Sequence, residues 1–221
     1  MRYRDDIYVY EWTNYFENNC NTYYIGGDVH ALIDPGLSAF VPELLERMKK
    51  DGIHIHDIRY VLNTHSHPDH FEGSKMFYGR QIQIGLHEDE IDFLKGEGGD
   101  LYPLFGLATP APQIDWIITE GEVLLGKETL QIFHVPGHSP GSIALYSPQR
   151  NALFAGDVIF QQSVGRTDFP GGNGTLLKNS ILQLSRLEIE SLFPGHMGIV
   201  AGNKNVKRNF LMIIENFFPY L

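Results

Sequence analysis

Hydrophobic and polar positions follow two rhythms along this chain. Ile7-Tyr8-Val9-Tyr10-Glu11-Trp12 is dense in β-forming residues and predicts a first strand. Asn21 to Ile25 and His30 to Ile33 flank Gly26-Gly27-Asp28 and predict a hairpin, closed by Asp34-Pro35-Gly36. The period then changes. Phe40, Val41, Leu44, Leu45 and Met48 recur at helical spacing across 39–50, and Gly52 ends the run. A short buried strand is expected at 59–62, then a helix through Lys75 and Met76, a strand at 81–84 and a helix at 88–95. The second half repeats this order. Strands are expected near 122–125, 129–135, 142–146 and 152–155, with a polar turn over 147–151. Leu176, Leu177, Ser180, Ile181, Leu184 and Leu187 then mark one amphipathic helix, and Val206, Phe210, Ile213, Ile214 and Phe217 mark the last. Strands first and helices afterwards, twice over, predict an α/β fold of two sheets packed face to face with helices outside. A single domain over 1–221 is expected.

One stretch breaks the rhythm. Residues 96–112 carry four glycines and three prolines, yet also Leu101, Tyr102, Leu104, Phe105 and Leu107. Irregular segments this long are uncommon without a function. This one is expected either to cover a substrate site or to pack as a surface Ω-loop.

Composition narrows the class. An apolar content of 43% and a charged content of 20% describe an ordinary globular chain. A net charge of −10 argues against a nucleic-acid partner, which would favour a basic stripe. No run of about twenty apolar residues is present, so no membrane partner is expected. The single cysteine, Cys20, suits a reducing compartment, and the first residues lack the apolar core of a signal peptide. The cytoplasm is the expected location.

The chemistry is concentrated in Thr64-His65-Ser66-His67-Pro68-Asp69-His70. Four metal-type ligands in six residues cannot share one face of a helix or strand. They converge only if the backbone turns, and Ser66 and Pro68 supply turn chemistry. Pro136-Gly137-His138, Gly156-Asp157 and Pro194-Gly195-His196 follow, each placing a ligand-type residue beside Gly after an apolar stretch. Imidazoles and carboxylates without thiolate indicate a divalent-metal centre of hydrolytic type.

These motifs resemble the metallo-β-lactamase-fold superfamily, and within it the hydroxyacylglutathione hydrolase (glyoxalase II)-like branch. The resemblance spans Asn19 to His196 and rests on Ile33-Asp34-Pro35-Gly36, on Thr64 to Gly73, on Pro136 to Ser142, on Phe154-Ala155-Gly156-Asp157 and on Pro194-Gly195-His196. It implies a four-layer αββα sandwich of two mixed β-sheets. It implies two divalent ions: His65, His67 and His138 would hold the first, Asp69, His70 and His196 the second, and Asp157 would bridge them together with a water or hydroxide. Zinc is the expected metal, with iron and manganese as alternatives. The implied activity is hydrolysis of a glutathione-type or other small thioester, with Asp69 as the catalytic carboxylate that orients the attacking water or takes its proton.

Other classes compete. Persulfide dioxygenases resemble the chain, share a Gly-Arg-Thr-Asp-Phe run like that at 165–169, and use one iron on two His and one Asp. Hydrolysis of another ester or a lactone is a further alternative. Arg166 could pair with a substrate carboxylate or with Asp168. Lys204 and Lys207, near Arg208, could replace part of the basic glutathione pocket that longer relatives build in a C-terminal extension, or form a solvated helix face. Asp34, at a strand end, is expected to orient a group of the metal loop by hydrogen bonding. His54 and His56 are expected on the surface away from the site, and His134 could support the His138 loop. His30 and His87 have no ligand-type partner nearby in sequence. Oligomeric state is left open.

Overall fold

A computed structural model describes residues 1–221, apart from the side chain of Tyr15. Among the described residues one seven-stranded sheet runs in chain order: β1 (Arg2–Arg4), β2 (Ile7–Tyr10), β3 (Thr22–Ile25), β4 (Ala31–Ile33), β5 (Tyr60–Leu62), β6 (Gln83–His87) and β7 (Trp116–Ile118). It is antiparallel from β1 to β4 and parallel from β4 to β7. The second sheet contains β8 (Gly121–Leu125), β9 (Glu128–His134), β10 (Ile143–Ser147) and β11 (Ala152–Gly156). A small ribbon of β12 (Ile159–Phe160) and β13 (Ser163–Val164) follows, before β14 (Ser191–Pro194) and β15 (Val200–Ala201) complete that sheet in the order β15-β14-β11-β10-β9-β8.

Alternation along single strands shows how the layers stack. On β4, Ala31 and Ile33 face the layer between the sheets, while Leu32 faces outward. On β11, Ala152 and Phe154 point inward, while Leu153 and Ala155 point to the other side. Successive side chains of a strand leave on opposite faces, so a strand covered on both sides must be apolar throughout. Helix α1 (Val41–Lys50) covers the outer face of the first sheet with Val41, Leu44 and Met48. The second sheet is covered by α4 (Gly174–Leu184) and α5 (Asn203–Asn216), through Leu177, Ile181, Leu184, Val206, Phe210 and Ile213. Between these lie α2 (Pro68–Phe71) and α3 (Glu88–Lys95). The result is the four-layer αββα sandwich.

Element boundaries mostly agree with the periodicity, and α3 matches it residue for residue. The strand expected at 81–84 begins later, at Gln83, and runs to His87. Strands β1, β7, β12, β13 and β15, with two or three residues each, were not predicted. Strands this short carry too few positions to display a period, and tertiary pairing decides them. No helix among the described residues is long and apolar enough to cross a membrane.

Candidate metal centre

Every metal-type residue of the motifs lies just beyond the C-terminal end of a strand, at one rim of the sandwich. β5 delivers His65 and His67, β9 leads to His138, β11 to Asp157 and β14 to His196. Pro68, at the first turn of α2, halts the extended backbone, and α2 then presents Asp69 and His70. The fold brings these seven side chains together. Ligand atoms of His65, His67 and His138 lie within 4.8 Å of one another, as do those of Asp69, His70 and His196, and those of His65, His70 and Asp157. Their glycine neighbours are required by close packing. A Cβ at Gly195 would run into Asp157 Oδ1 and approach His70 Cε1 to 2.6 Å.

Hydrogen-bond partners set the tautomers. His138 Nδ1 lies 2.8 Å from the Arg166 carbonyl, which can only accept, so this nitrogen carries the proton. His70 Nδ1 donates to Asp34 Oδ2 at 3.0 Å. Thr64 Oγ1 gives its proton to Asp34 Oδ2 at 2.7 Å, and therefore accepts from His65 Nδ1 at 3.0 Å. In all three rings Nε2 is therefore the nitrogen that faces the cluster. The Asp34 carboxylate also accepts from the Thr64 backbone N–H at 2.7 Å. Its φ of 50° lies in the left-handed region, which Asp tolerates better than most residues and which here serves the metal loop.

The donor set fits a cation. His67 Nδ1 sits 2.8 Å from His138 Nε2, and His70 Nε2 sits 3.2 Å from His196 Nε2. Asp157 Oδ1 is 3.2 Å from His70 Nε2, and Asp69 Oδ2 is 3.1 Å from His196 Nε2. His65 Nε2, His67 Nε2 and Asp157 Oδ1 are buried without a hydrogen-bond partner. Such atoms normally find one, because leaving them bare costs about 1–3 kcal/mol each.

Electrostatics point the same way. Burial, followed by the neighbouring imidazoles, pushes His65 well below its usual range, and burial and His138 bring His67 down to about 3. Burial would also lower His70 and His196, yet the adjacent acids outweigh it and raise both. Burial works to raise the carboxyls of Asp69 and Asp157, but the imidazoles beside them hold both below the usual carboxylate range. The cluster therefore attracts positive charge at its acidic end, where protons and divalent ions compete for His70 and His196.

Glu90 was missed by the sequence reading. It is fully buried on α3, and its Oε2 accepts from Ser66 N–H at 2.7 Å and Ser66 Oγ at 2.5 Å. Its Oε1 accepts from Ser139 Oγ at 2.5 Å and Gly141 N–H at 2.7 Å. One carboxylate thus ties the His65–His67 turn to the His138 loop. The available signal was a charged residue on the buried stripe of α3, three and four positions before Phe93 and Leu94.

Comparison with known proteins agrees with this geometry. A model of the metallo-beta-lactamase superfamily matches residues 15–196. The chain belongs to that superfamily. It is 35% identical over 190 residues to a probable metallo-hydrolase of Methanocaldococcus jannaschii, covering 83% of this chain and 90% of that one. It is 34% identical over 176 residues to the hydroxyacylglutathione hydrolase GloC of Haemophilus influenzae, covering 75% and 78%. A solved protein crystallised in a di-iron-bound form superposes with a TM-score of 0.71 at 30% identity, covering 86% of this chain and 93% of that one.

In this superfamily member the cluster floors a cavity of about 410 Å³. His67, Asp69, His138, Asp157 and His196 reach it from below, and apolar side chains form much of its wall. The 96–112 segment both packs and lines: Tyr102 Oη donates to the Ser66 carbonyl at 2.9 Å, while Leu101 and Phe105 face the cavity. Arg166 is at the rim, with Nε and Nη2 donating to the Asp168 carboxylate at 2.7 and 2.6 Å. Lys204 and Lys207 are exposed on α5 and are not among the cavity-lining residues, and Lys207 pairs with Glu188 at 3.0 Å.

A second histidine group differs. His87, Asp89 and His134 also place ligand-type atoms within 4.8 Å, so His87 does have a neighbour that the linear sequence hid. However, the two rings are stacked, 4.4 Å apart and 11° from parallel. A ligated ion lies in the plane of each imidazole, and two stacked planes cannot share one. His134 Nε2 already donates to the Pro140 carbonyl at 2.9 Å, and His87 Nδ1 accepts from the Asp89 N–H at 3.2 Å. This pair braces the His138 loop and the start of α3. His54 and His56 stack on each other, exposed, at the start of the approach to β5.

Proposed function

We propose that this metal-dependent hydrolase of the metallo-beta-lactamase superfamily cleaves a small thioester of glutathione or another thiol, using two divalent ions. The observation that carries the reading is the completeness of both ligand sets, with bare nitrogens aimed inward, beneath a cavity large enough for a small molecule. His65, His67 and His138 would hold one ion and Asp69, His70 and His196 the other, with Asp157 lying beside both sets. When bound, such ions lower the pKa of coordinated water toward about 7 and polarise the substrate carbonyl.

The protein's own residues do the rest. Asp34, Thr64 and the Arg166 carbonyl keep three imidazoles in the tautomer that offers Nε2. Asp69 faces the cavity and, being held ionised, orients the attacking water by accepting its hydrogen bond. The two cavity carboxylates carry no proton near neutrality, so a leaving group that departs unprotonated suits the site. A thiolate meets that requirement better than an alkoxide or an amine. Imidazole and carboxylate accept zinc, iron or manganese, with zinc the expected ion. The lone, buried Cys20 supports a cytoplasmic setting.

Elemental analysis of protein purified without added metal, alongside hydrolysis of S-lactoylglutathione, tests the reading. About two ions per chain with turnover is expected. One iron per chain, no hydrolysis and oxygen uptake on glutathione persulfide would replace it with the dioxygenase alternative.

A further inference from the structure

The cavity above the His/Asp cluster has a lining that bears on the class of substrate it fits. Leu101 and Phe105 form one side, contributed by the 96–112 segment, and Phe160, Val164, Phe169 and Met197 form the rest of the apolar wall. Glutathione carries two carboxylates and an ammonium, and a site built for it would present unengaged cations. Arg166 is the one Lys or Arg side chain that lines this cavity among the described residues, and it is engaged on two sides. Its Nε and Nη2 bind Asp168, and its guanidinium lies 3.7 Å above the Phe169 ring. Asp168 is tethered two residues away, so its effective concentration is on the order of millimolar or more, and a free carboxylate must compete with it. A net charge of −10 further disfavours a carrier of net negative charge.

We propose that this cavity selects its substrate by an apolar acyl group of medium length, and that carboxylates on the thiol carrier contribute little to recognition. The inference rests on the hydrolase reading of the metal cluster. The scissile carbonyl sits over the ions, the acyl chain lies against Leu101, Phe105 and Phe169, and the polar carrier leaves through the open mouth past Arg166. Hydrolysis adds water across the C–S bond: the acyl carbon gains the hydroxyl oxygen, the sulfur leaves as a thiolate, and the proton lost by the water passes to solvent, where the thiolate recovers one. Arg166 and Asp168 act together as a closed pair that holds Phe169 in the wall.

Two measurements test this, and the first needs no turnover. Affinities of the metal-loaded protein for acetate, butanoate and hexanoate are measured by calorimetry. Each fully buried methylene is expected to tighten binding by roughly fourfold, so burying about two of the four methylenes that hexanoate adds to acetate should tighten binding at least about tenfold. Phe105→Asp should flatten the series, and Met197→Asp, at an already exposed position, provides a second variant should the first fail to fold. Equal affinity across the acids would overturn the proposal even in a protein that hydrolyses no thioester, an outcome that would separately sink the hydrolase reading. The second measurement compares kcat/KM for lactoyl and hexanoyl thioesters of glutathione and of N-acetylcysteamine. Hexanoyl should exceed lactoyl by about tenfold on either carrier. Arg166→Gln should leave the ratio between carriers unchanged. A tenfold or greater preference for the glutathione carrier, abolished by Arg166→Gln, would assign recognition to the carboxylates instead.

Discussion

The His65 cluster and the His87–Asp89–His134 group offer the same kinds of ligand atom at the same spacing, within 4.8 Å. Their neighbours make them different. Around the first, Asp34, Thr64 and the Arg166 carbonyl take up the outer nitrogens, so Nε2 atoms converge from rings set at wide angles, such as 79° between His65 and His138. Around the second, a helix N–H and a carbonyl take up the inner nitrogens, and the rings lie flat against each other. Proximity of histidines and an acid is therefore not enough. Ring plane and the partner of the other nitrogen decide whether a group is shaped to take a metal or to brace a loop.

The comparison can be broken most directly by His67→Ala. Loss of one inward imidazole should cost more than the 10–100-fold in metal affinity typical of an outer partner, together with most of the hydrolytic rate. Retention of full metal content and rate would end the assignment. Asp34→Ala, which leaves every ligand in place but frees Thr64 and His70, should weaken metal binding by about 10–100-fold in a competition titration. Glu90→Ala strands the Ser66 hydroxyl and two backbone N–H groups in the interior and leaves Ser139 only Ser142 as a partner, and about 3 kcal/mol of stability should be lost in a denaturant melt.

A subtler contrast lies in pH. His70 and His196 have raised values, so they take up protons more readily than an ordinary imidazole, and an incoming ion must compete with those protons. Metal affinity should therefore rise with pH until those raised values are passed, and fall as acid restores the protons. His65 and His67 are lowered and stay neutral in that window, so they should add no slope. Calorimetric metal titrations across pH 6–8 would report the sign, and an affinity independent of pH would contradict it. The smallest effect is expected at the stacked pair. His134→Ala should leave metal content unchanged and cost about 1 kcal/mol through its bond to Pro140. Loss of a metal ion in that variant would show the stacked group to be more than a brace.

Much of the site was legible in the chain because a metal motif is local. Four ligand-type residues between His65 and His70, broken by Ser66 and Pro68, allow few backbone paths other than a turn. The glycines before His138 and His196 likewise announce close packing. Glu90 was not legible, since nothing between residues 90 and 139 reveals that its carboxylate reaches Ser139. His87 looked isolated for the same reason, its partner His134 being supplied by the other sheet.

The sequence alone determined the two periods, and with them the sandwich layers and the ligand-rich turn. Hydrophobic alternation and turn chemistry act over a few residues and need no distant partner to be read. Only the tertiary structure decided which nitrogens face inward, which histidines stack, and that the 96–112 segment lends Leu101 and Phe105 to the cavity. Those outcomes depend on groups from different elements meeting at 3–4 Å, and the linear order of a chain does not encode which distant groups will meet.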